Sequence, residues 1–381
     1  MHLHCTTVRG PPRRGLALAL TGHDAGDGYR ERVDDSSIVV VGAYCMDCAV
    51  TTDTLPEWGD DLQVDAVRTR PGGKALNQAV ALARRGVPVR AIGVVGADTT
   101  GHELRAELAA EGVDVTTMTV RPGAATPVCV VLAHPDGRTA FLCRWAPDAE
   151  LTLLDLTVAE PVIAAARAVI VTFDPPPPTV RATVDAALRA GVPVLVHPAP
   201  PTPDAARALL DLPWSRLAAT TPNESEARLL LRAAGDPAAD GPRSSLARAL
   251  GTRLGAPLVC VTLAGDGVSV WDGTRAWARP AHPAVVVDTT AASDAFTAAL
   301  AHILFADPAD DTGPADDTGP ANCAGPANCT QAGRAARPPL AGDRVTRAVE
   351  AGLAAAAWTI GRVGAIDALP RFGELDAAFP S

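Results

Sequence analysis

Short, continuously apolar runs alternate with stretches of helical periodicity along most of the chain. Residues 38–42, Ile-Val-Val-Val-Gly, open the series, and similar runs recur at 89–95, 169–172, 192–196, 217–220 and 258–263. Between or beside them lie helical patterns at 74–85, 101–111, 179–190, 204–212, 224–234 and 244–254, and a long alanine-rich one follows at 344–362. A strand that is apolar at every position has no face to give to water, so it needs cover on both sides. Strand–helix repetition of this kind predicts an α/β fold, a doubly wound and mostly parallel sheet flanked by helices.

Two regions depart from that rhythm. Residues 47–71 are largely polar and irregular, and 126–145 carry two short apolar runs, 128–132 and 139–144, around His134-Pro-Asp-Gly137, a turn sequence. Together they are expected to form a small appended β-lid. Residues 1–36 read as a flexible extension, because the apolar stretch Gly15-Leu-Ala-Leu-Ala-Leu20 is too short for a signal segment. At 306–340, Asp310-Asp-Thr-Gly-Pro-Ala is repeated from Asp316 and then decays, a Pro-, Gly- and Asp-rich composition expected to be disordered. One domain, 37–305 continued at 341–375, is therefore expected around an insertion.

Composition narrows the function. The 33 Lys and Arg face 43 Asp and Glu, a net charge of −10, which speaks against nucleic acid or an anionic membrane as partner. A polyanionic ligand would have to be held by local dipoles and a metal. No apolar stretch is long enough to span a bilayer, so a cytoplasmic protein is expected. Cys45 and Cys48 form one C-x-x-C with no second pair, and the eight cysteines are expected to be reduced and mostly buried.

Four segments carry chemistry. In Pro71-Gly-Gly-Lys-Ala-Leu-Asn77, two glycines enter a helix, bringing backbone close to a ligand, while Lys74 and Asn77 can donate to hydroxyls. Thr221-Pro-Asn-Glu-Ser-Glu226 has helix-start chemistry and places Asn223 and Glu226 on one face, where the carboxylate could act on magnesium through water. Val261-Thr-Leu-Ala-Gly-Asp-Gly267 is a strand and glycine turn able to pass N–H groups under phosphates. Asp288-Thr-Thr-Ala-Ala-Ser-Asp294, after an expected strand at 285–287, opens a helix with small residues, an anion hole with a carboxylate beside it.

In this order the four resemble the ribokinase-like (PfkB) carbohydrate kinases, over roughly 37–305 and 341–372. His197-Pro-Ala-Pro and Ala354-Ala-Ala-Ala…Arg362-x-Gly-Ala add to the likeness. The resemblance implies ATP-dependent phosphorylation of a sugar hydroxymethyl group, ribose first, with a lid that closes over the sugar and often mediates dimerisation. It matches Asp294 to the base, and Ala292 and Ser293 to the anion hole. Asp47, Gly73, Lys74, Asn77 and Asp174 match sugar-binding positions. Asn223, Thr262, Gly265, Asp266 and Gly267 match the nucleotide site, with Glu226 toward Mg2+. Asp288, Thr290, Thr359, Arg362, Gly364 and Ala368 match a monovalent-cation (K+) site built largely from carbonyls. The chain departs from the pattern at Ser293, Ala75 and Ala264, each in place of Gly. Cys45 stands for Asn, Asp174 for Glu, and Ala368 for a hydroxyl residue. These changes leave another pentose, a deoxysugar, a nucleoside or a hexose as alternative acceptors, and a weakly catalytic sugar- or nucleotide-binding protein as the rival reading.

Overall fold

The computed structural model describes residues 36–135, 139–144, 147–199, 202–307, 342–371 and 373–379. The expected N-terminal extension, nearly all of the repeat insertion and the tip of the 134–137 turn lie outside these residues.

The strands are β1 (Ile38–Val41), β2 (Cys45–Thr51), β3 (Ala66–Gly72), β4 (Val89–Ile92), β5 (Val94–Gly96), β6 (Val113–Asp114), β7 (Thr119–Arg121), β8 (Val128–Ala133), β9 (Thr139–Arg144), β10 (Ala168–Thr172), β11 (Val194–His197), β12 (Ala219–Thr220), β13 (Val259–Thr262), β14 (Val268–Trp271) and β15 (Ala276–Arg279). The helices are α1 (Lys74–Ala83), α2 (Thr99–Ala110), α3 (Leu153–Ala165), α4 (Pro177–Arg189), α5 (Pro203–Ala208), α6 (Glu224–Ala233), α7 (Leu246–Leu254), α8 (Ala292–Phe305), α9 (Gly342–Ile360) and α10 (Glu374–Ala378). A nine-stranded sheet has the order β15-β14-β13-β12-β11-β10-β1-β4-β6. It is parallel from β13 to β6, and β14 and β15 continue it antiparallel.

The alternation of side chains along a strand divides the interior into two cores. Ile38 and Val40 of β1 face one core with residues of α1, α2, α8 and α9, while Val39 and Val41 face the other with residues of α3 to α7. All four of these strand residues are fully buried, which is why the run shows no polar alternation.

The two departing segments form a separate four-stranded sheet of order β3-β2-β8-β9. Cys129 of β8 and Cys143 of β9 are directly opposed in register and joined as a disulfide, which corrects the expectation that every cysteine is a thiol. Cys45, Cys48 and Cys260 are free.

Residues 285–287, expected as a strand, form none, and Val285 is 81% exposed. A β-branched run needs a ladder partner to become a strand, and here the N–H groups of Val287 and Asp288 both donate to the Ile360 carbonyl at the end of α9. Helix α3 was not legible in the sequence, since it carries apolar residues on all sides and Pro161 within it.

Candidate active site

The chain enters α1 through Gly73, whose φ of 100° is one that side chains strain to adopt, and a Cβ there would crowd the Ala43 carbonyl at 2.8 Å. That turn sets Lys74 and Asn77 under the lid sheet. Asn77 Nδ2 donates to Asp294 Oδ2 at 2.9 Å, and Gln78 Nε2 donates to Asp294 Oδ1 at 3.0 Å. Asp294, in the first turn of α8, is thus held by both amides and is 2% exposed. The amide oxygens of Asn77 and Gln78 have no partner. Gln78 escaped the sequence reading, although it directly follows Asn77, the last residue of that motif.

Lys74 lies among four carboxylates, Asp294, Glu226, Asp174 and Asp47. Burial opposes its charge, but together they hold its pKa above the ordinary lysine value. Burial raises each carboxylate in turn. Asp47 is pushed up to about 6, with a counteracting hydrogen bond from the Cys45 thiol and a contribution from Asp294. Asp174 rises to about 6 despite the Thr172 hydroxyl that donates to it at 2.7 Å, and Glu226 rises to about 7. Asp294 is raised by burial against the opposing effect of Lys74, Asn77 and Gln78.

On the other side of the 288–294 turn, Asn223 caps α6. Its side chain accepts from the Glu226 N–H at 2.9 Å, while its own N–H and Nδ2 each donate to Glu226 at 2.8 Å. This is a capping box, so the helix-start reading holds in full. It leaves both Glu226 oxygens with lone pairs for water, which fits a through-water role toward magnesium. Among the described residues no group of three or more metal-ligating side chains exists.

Asn223 bridges to Thr262 at the end of β13, joining two of the sequence motifs. The turn beyond it contains Ala264, at φ 52°, and Gly267, at φ 88°, where a Cβ would strike backbone of residues 279–281. Asn223, Thr262, Gly265, Gly267, Ala292 and Ser293 line one cavity of about 680 Å³. Asp266 does not line it; its carboxylate is 64% exposed and pairs with Arg243. Arg243 itself lines the cavity and donates to Glu224 at 2.7 Å.

Ser293 has the angles of a helix, being the second residue of α8, whereas the left-handed position is Ala291, at φ 61° and ψ 5°. The first-turn N–H groups of a helix have no carbonyl within it, so those of Ser293 and Asp294 are available to an anion, while that of Ala292 donates to the Thr289 carbonyl at 3.4 Å.

The expected cation-site residues converge in part. Asp288 Oδ1 accepts from Thr290 N–H, and Oδ2 from Gly364 N–H, each at 2.9 Å, which ties the 287–290 and 360–368 loops together. Arg362 N–H donates to the Thr359 carbonyl, its guanidinium stacks on Trp358, and the Thr359 hydroxyl is spent on Ala355. Ala368 is buried in the turn beyond. Backbone carbonyls are what these loops could offer a cation.

Three buried groups to which the sequence assigned no role complete the site: His197 and Thr221, each the first residue of a quoted segment, and Thr297, outside them. His197 Nδ1 lies 3.0 Å from the Thr297 hydroxyl, and Thr221 and Thr297 hydroxyls are 2.9 Å apart, so the ends of β11 and β12 are bonded to α8 one turn beyond Asp294.

Comparison with known proteins agrees with this geometry. A profile of the pfkB family carbohydrate kinases matches residues 35–371. The ribokinase of Bacillus subtilis (strain 168) is 31% identical over 275 residues, covering 70% of this chain and 84% of that protein. Ribokinase from Giardia lamblia superposes with a TM-score of 0.72 at 20% identity, over 91% of this chain and 98% of that one. Arabidopsis thaliana ribokinase, solved with ribose and ATP, superposes with a TM-score of 0.69 at 22% identity, over 91% and 99%. The chain belongs to the pfkB family of carbohydrate kinases, and is a phosphotransferase whose acceptor is a hydroxyl group of a sugar.

Proposed function

We propose that this kinase transfers the γ-phosphoryl group of ATP to a hydroxymethyl group of a small sugar of the ribose class, with Asp294 as the base. The observation that carries the reading is the position of Asp294. It sits in the first turn of α8, with Asp288 and Thr290 lining a cavity on the lid side and Ala292 and Ser293 lining one on the α6 side. A carboxylate between an acceptor and a donor can take the proton of the attacking hydroxyl while the helix N–H groups meet the developing charge. Asp47, Gly73, Lys74, Asn77 and Asp174 would hold the sugar, and Asn223, Thr262, Gly265 and Gly267 the nucleotide.

Magnesium, when bound, would neutralise triphosphate charge through waters ordered by Glu226. Carbonyls of the 288–290 and 359–368 loops would hold a monovalent cation. The helical angles of Ser293 count against the weakly catalytic alternative, because its N–H points as glycine's would. Self-association through the lid is supported by the outer face of its sheet, where Val67 and Leu142 are 61% and 64% exposed. The test is a coupled ADP-formation assay over pentoses, deoxysugars, hexoses and nucleosides. Acceptor-dependent turnover is expected; ATP consumption with no acceptor in the panel would overturn the reading.

A further inference from the structure

The lid-side cavity, about 580 Å³, contains charge that the phosphoryl-transfer chemistry does not use. Asp47, Asp288, Asp367, Arg68 and Arg70 all line it. Asp288 is satisfied by two backbone N–H groups, and Arg70 Nε donates to Asp367 Oδ2 at 3.2 Å. Asp47 accepts from the Cys45 thiol and lies in the field of Lys74. Arg68 alone of the five makes no hydrogen bond or ion pair among the described residues.

The register of the lid places this guanidinium relative to the sugar-binding end. Arg70 of β3 is opposite Asp47 of β2, and Arg68 is opposite Ala49. Two residues along a strand bring a side chain back to the same face about 7 Å farther on. Arg68 therefore shares the site-facing side of the lid with Asp47, one repeat outward. Ala49 opposite it and Ala66 two residues along its own strand are small and leave room for a ligand rather than for packing. Guanidinium is the side chain suited to planar, two-point recognition of carboxylate or phosphate.

We propose that Arg68 recognises an anionic group, carboxylate or phosphate, at the far end of the acceptor, so that this kinase takes an anionic sugar in preference to a neutral one. The proposal rests on the kinase reading above and refines its acceptor. Arg70, one repeat nearer Asp47, is paired with Asp367, leaving Arg68 as the unpaired cation of this wall among the described residues.

The experiment measures ADP formation and calorimetric binding with D-ribose, D-gluconate and D-fructose 6-phosphate, on the natural chain and on Arg68→Ala and Arg68→Lys. Expected is a kcat/KM for gluconate or fructose 6-phosphate at least tenfold above that for ribose. Arg68→Ala should lower the anionic-to-neutral ratio at least tenfold, through KM, with Arg68→Lys between. Which anionic sugar responds separates carboxylate from phosphate. Turnover of ribose in preference to both, or an anionic preference that survives Arg68→Ala, overturns the proposal and leaves the kinase reading intact. Arg68-dependent binding of an anionic sugar without turnover upholds the proposal and sinks the kinase reading instead. Absence of binding and turnover for both anionic sugars overturns the proposal.

Discussion

Gln78 and Asp294 meet across the packing of α1 on α8, the amide nitrogen of one donating to a carboxylate oxygen of the other at 3.0 Å, although 216 residues separate them. With Asn77 on the second oxygen, the carboxylate is held at both ends by groups that can only donate in their present orientation. Neither amide oxygen has a partner, so either side chain can turn over and accept instead.

That freedom makes Asp294→Asn a clean test. The new amide would face one donor too many, and a flip of Gln78 or Asn77 restores the pairing, so the variant should fold. Turnover should fall about a hundredfold or more, because the acceptor proton has nowhere to go. Nucleotide affinity, measured by calorimetry, should hold within a few-fold. Near-normal turnover would falsify the assignment of the base.

Activity and stability should respond to pH in opposite senses. A base works deprotonated, and the pKa of Asp294 is raised above 3.8, so the acidic limb of kcat/KM should lie above the ordinary carboxylate range. Gln78→Leu removes a donor to that carboxylate and should move the limb higher still. Stability runs the other way. Asp47 and Asp174 titrate near 6 and Glu226 near 7 in the folded chain, against 3.8 and 4.5 when free. Between those values these three carboxylates bind more protons in the folded chain than in the unfolded one, so their contribution to stability falls as pH rises from about 4 to 7, offset in part by His197 and His302, which burial holds below the ordinary histidine value. Urea midpoints at pH 5 and pH 8 check this, and Glu226→Gln should flatten the slope near neutrality. A midpoint that rises with pH through this window in the natural chain, and is unmoved in Glu226→Gln, contradicts the cluster's role.

Ser293 should be a mild substitution for glycine. Since it has helical angles, Ser293→Gly should change turnover by no more than about tenfold, the effect of 1.4 kcal/mol on a barrier. It should also cost up to about 1 kcal/mol of stability from added backbone freedom. Steady-state rates and a urea titration together decide it. A rise in turnover well beyond tenfold would mean that the side chain blocks the phosphoryl group.

The strained alanine beside the nucleotide cavity should behave differently. Ala264 holds φ 52° in the turn after β13, a conformation that costs a non-glycine residue about 1 kcal/mol or more. Ala264→Gly should raise the urea midpoint by the equivalent of up to about 1 kcal/mol, the strain relieved less the entropy added. Ala264→Val should lower it and weaken nucleotide binding. A lower midpoint in the glycine variant would show that the alanine methyl packs usefully.

The sheet and the four motifs were legible because each depends on local chemistry: β-branched runs, glycine turns and cap residues. What escaped needed contacts distant in the chain. The 285–287 run had strand propensity but lacked an edge to pair with, α3 hid its direction by being apolar all round, and the Cys129–Cys143 pairing follows from a register set by the lid sheet. At the site, the helix-start positions of Asn223 and Asp294 were legible in their motifs. Gln78 and Arg243 were not, since a glutamine or arginine gains its contacts only from what folding sets beside it. Asp266, chosen from its glycine turn, proved to face Arg243 and not the cavity.

The arrangement of α8 and α9 bears on where this kinase can accept added chain. Arg344, near the start of α9, donates to the Ile303 carbonyl near the end of α8 at 2.9 Å, and Arg347 pairs with Asp307 at 3.4 Å. The fold itself therefore sets the spacing between the two points where the chain leaves and rejoins the helices. Lengthening a segment between fixed ends costs only about 0.6 kcal/mol for each doubling. Asp294 lies near the opposite end of the 14-residue α8, about 17 Å from its last residue. A reporter domain grafted at that junction is therefore expected to leave turnover within a few-fold of the natural chain.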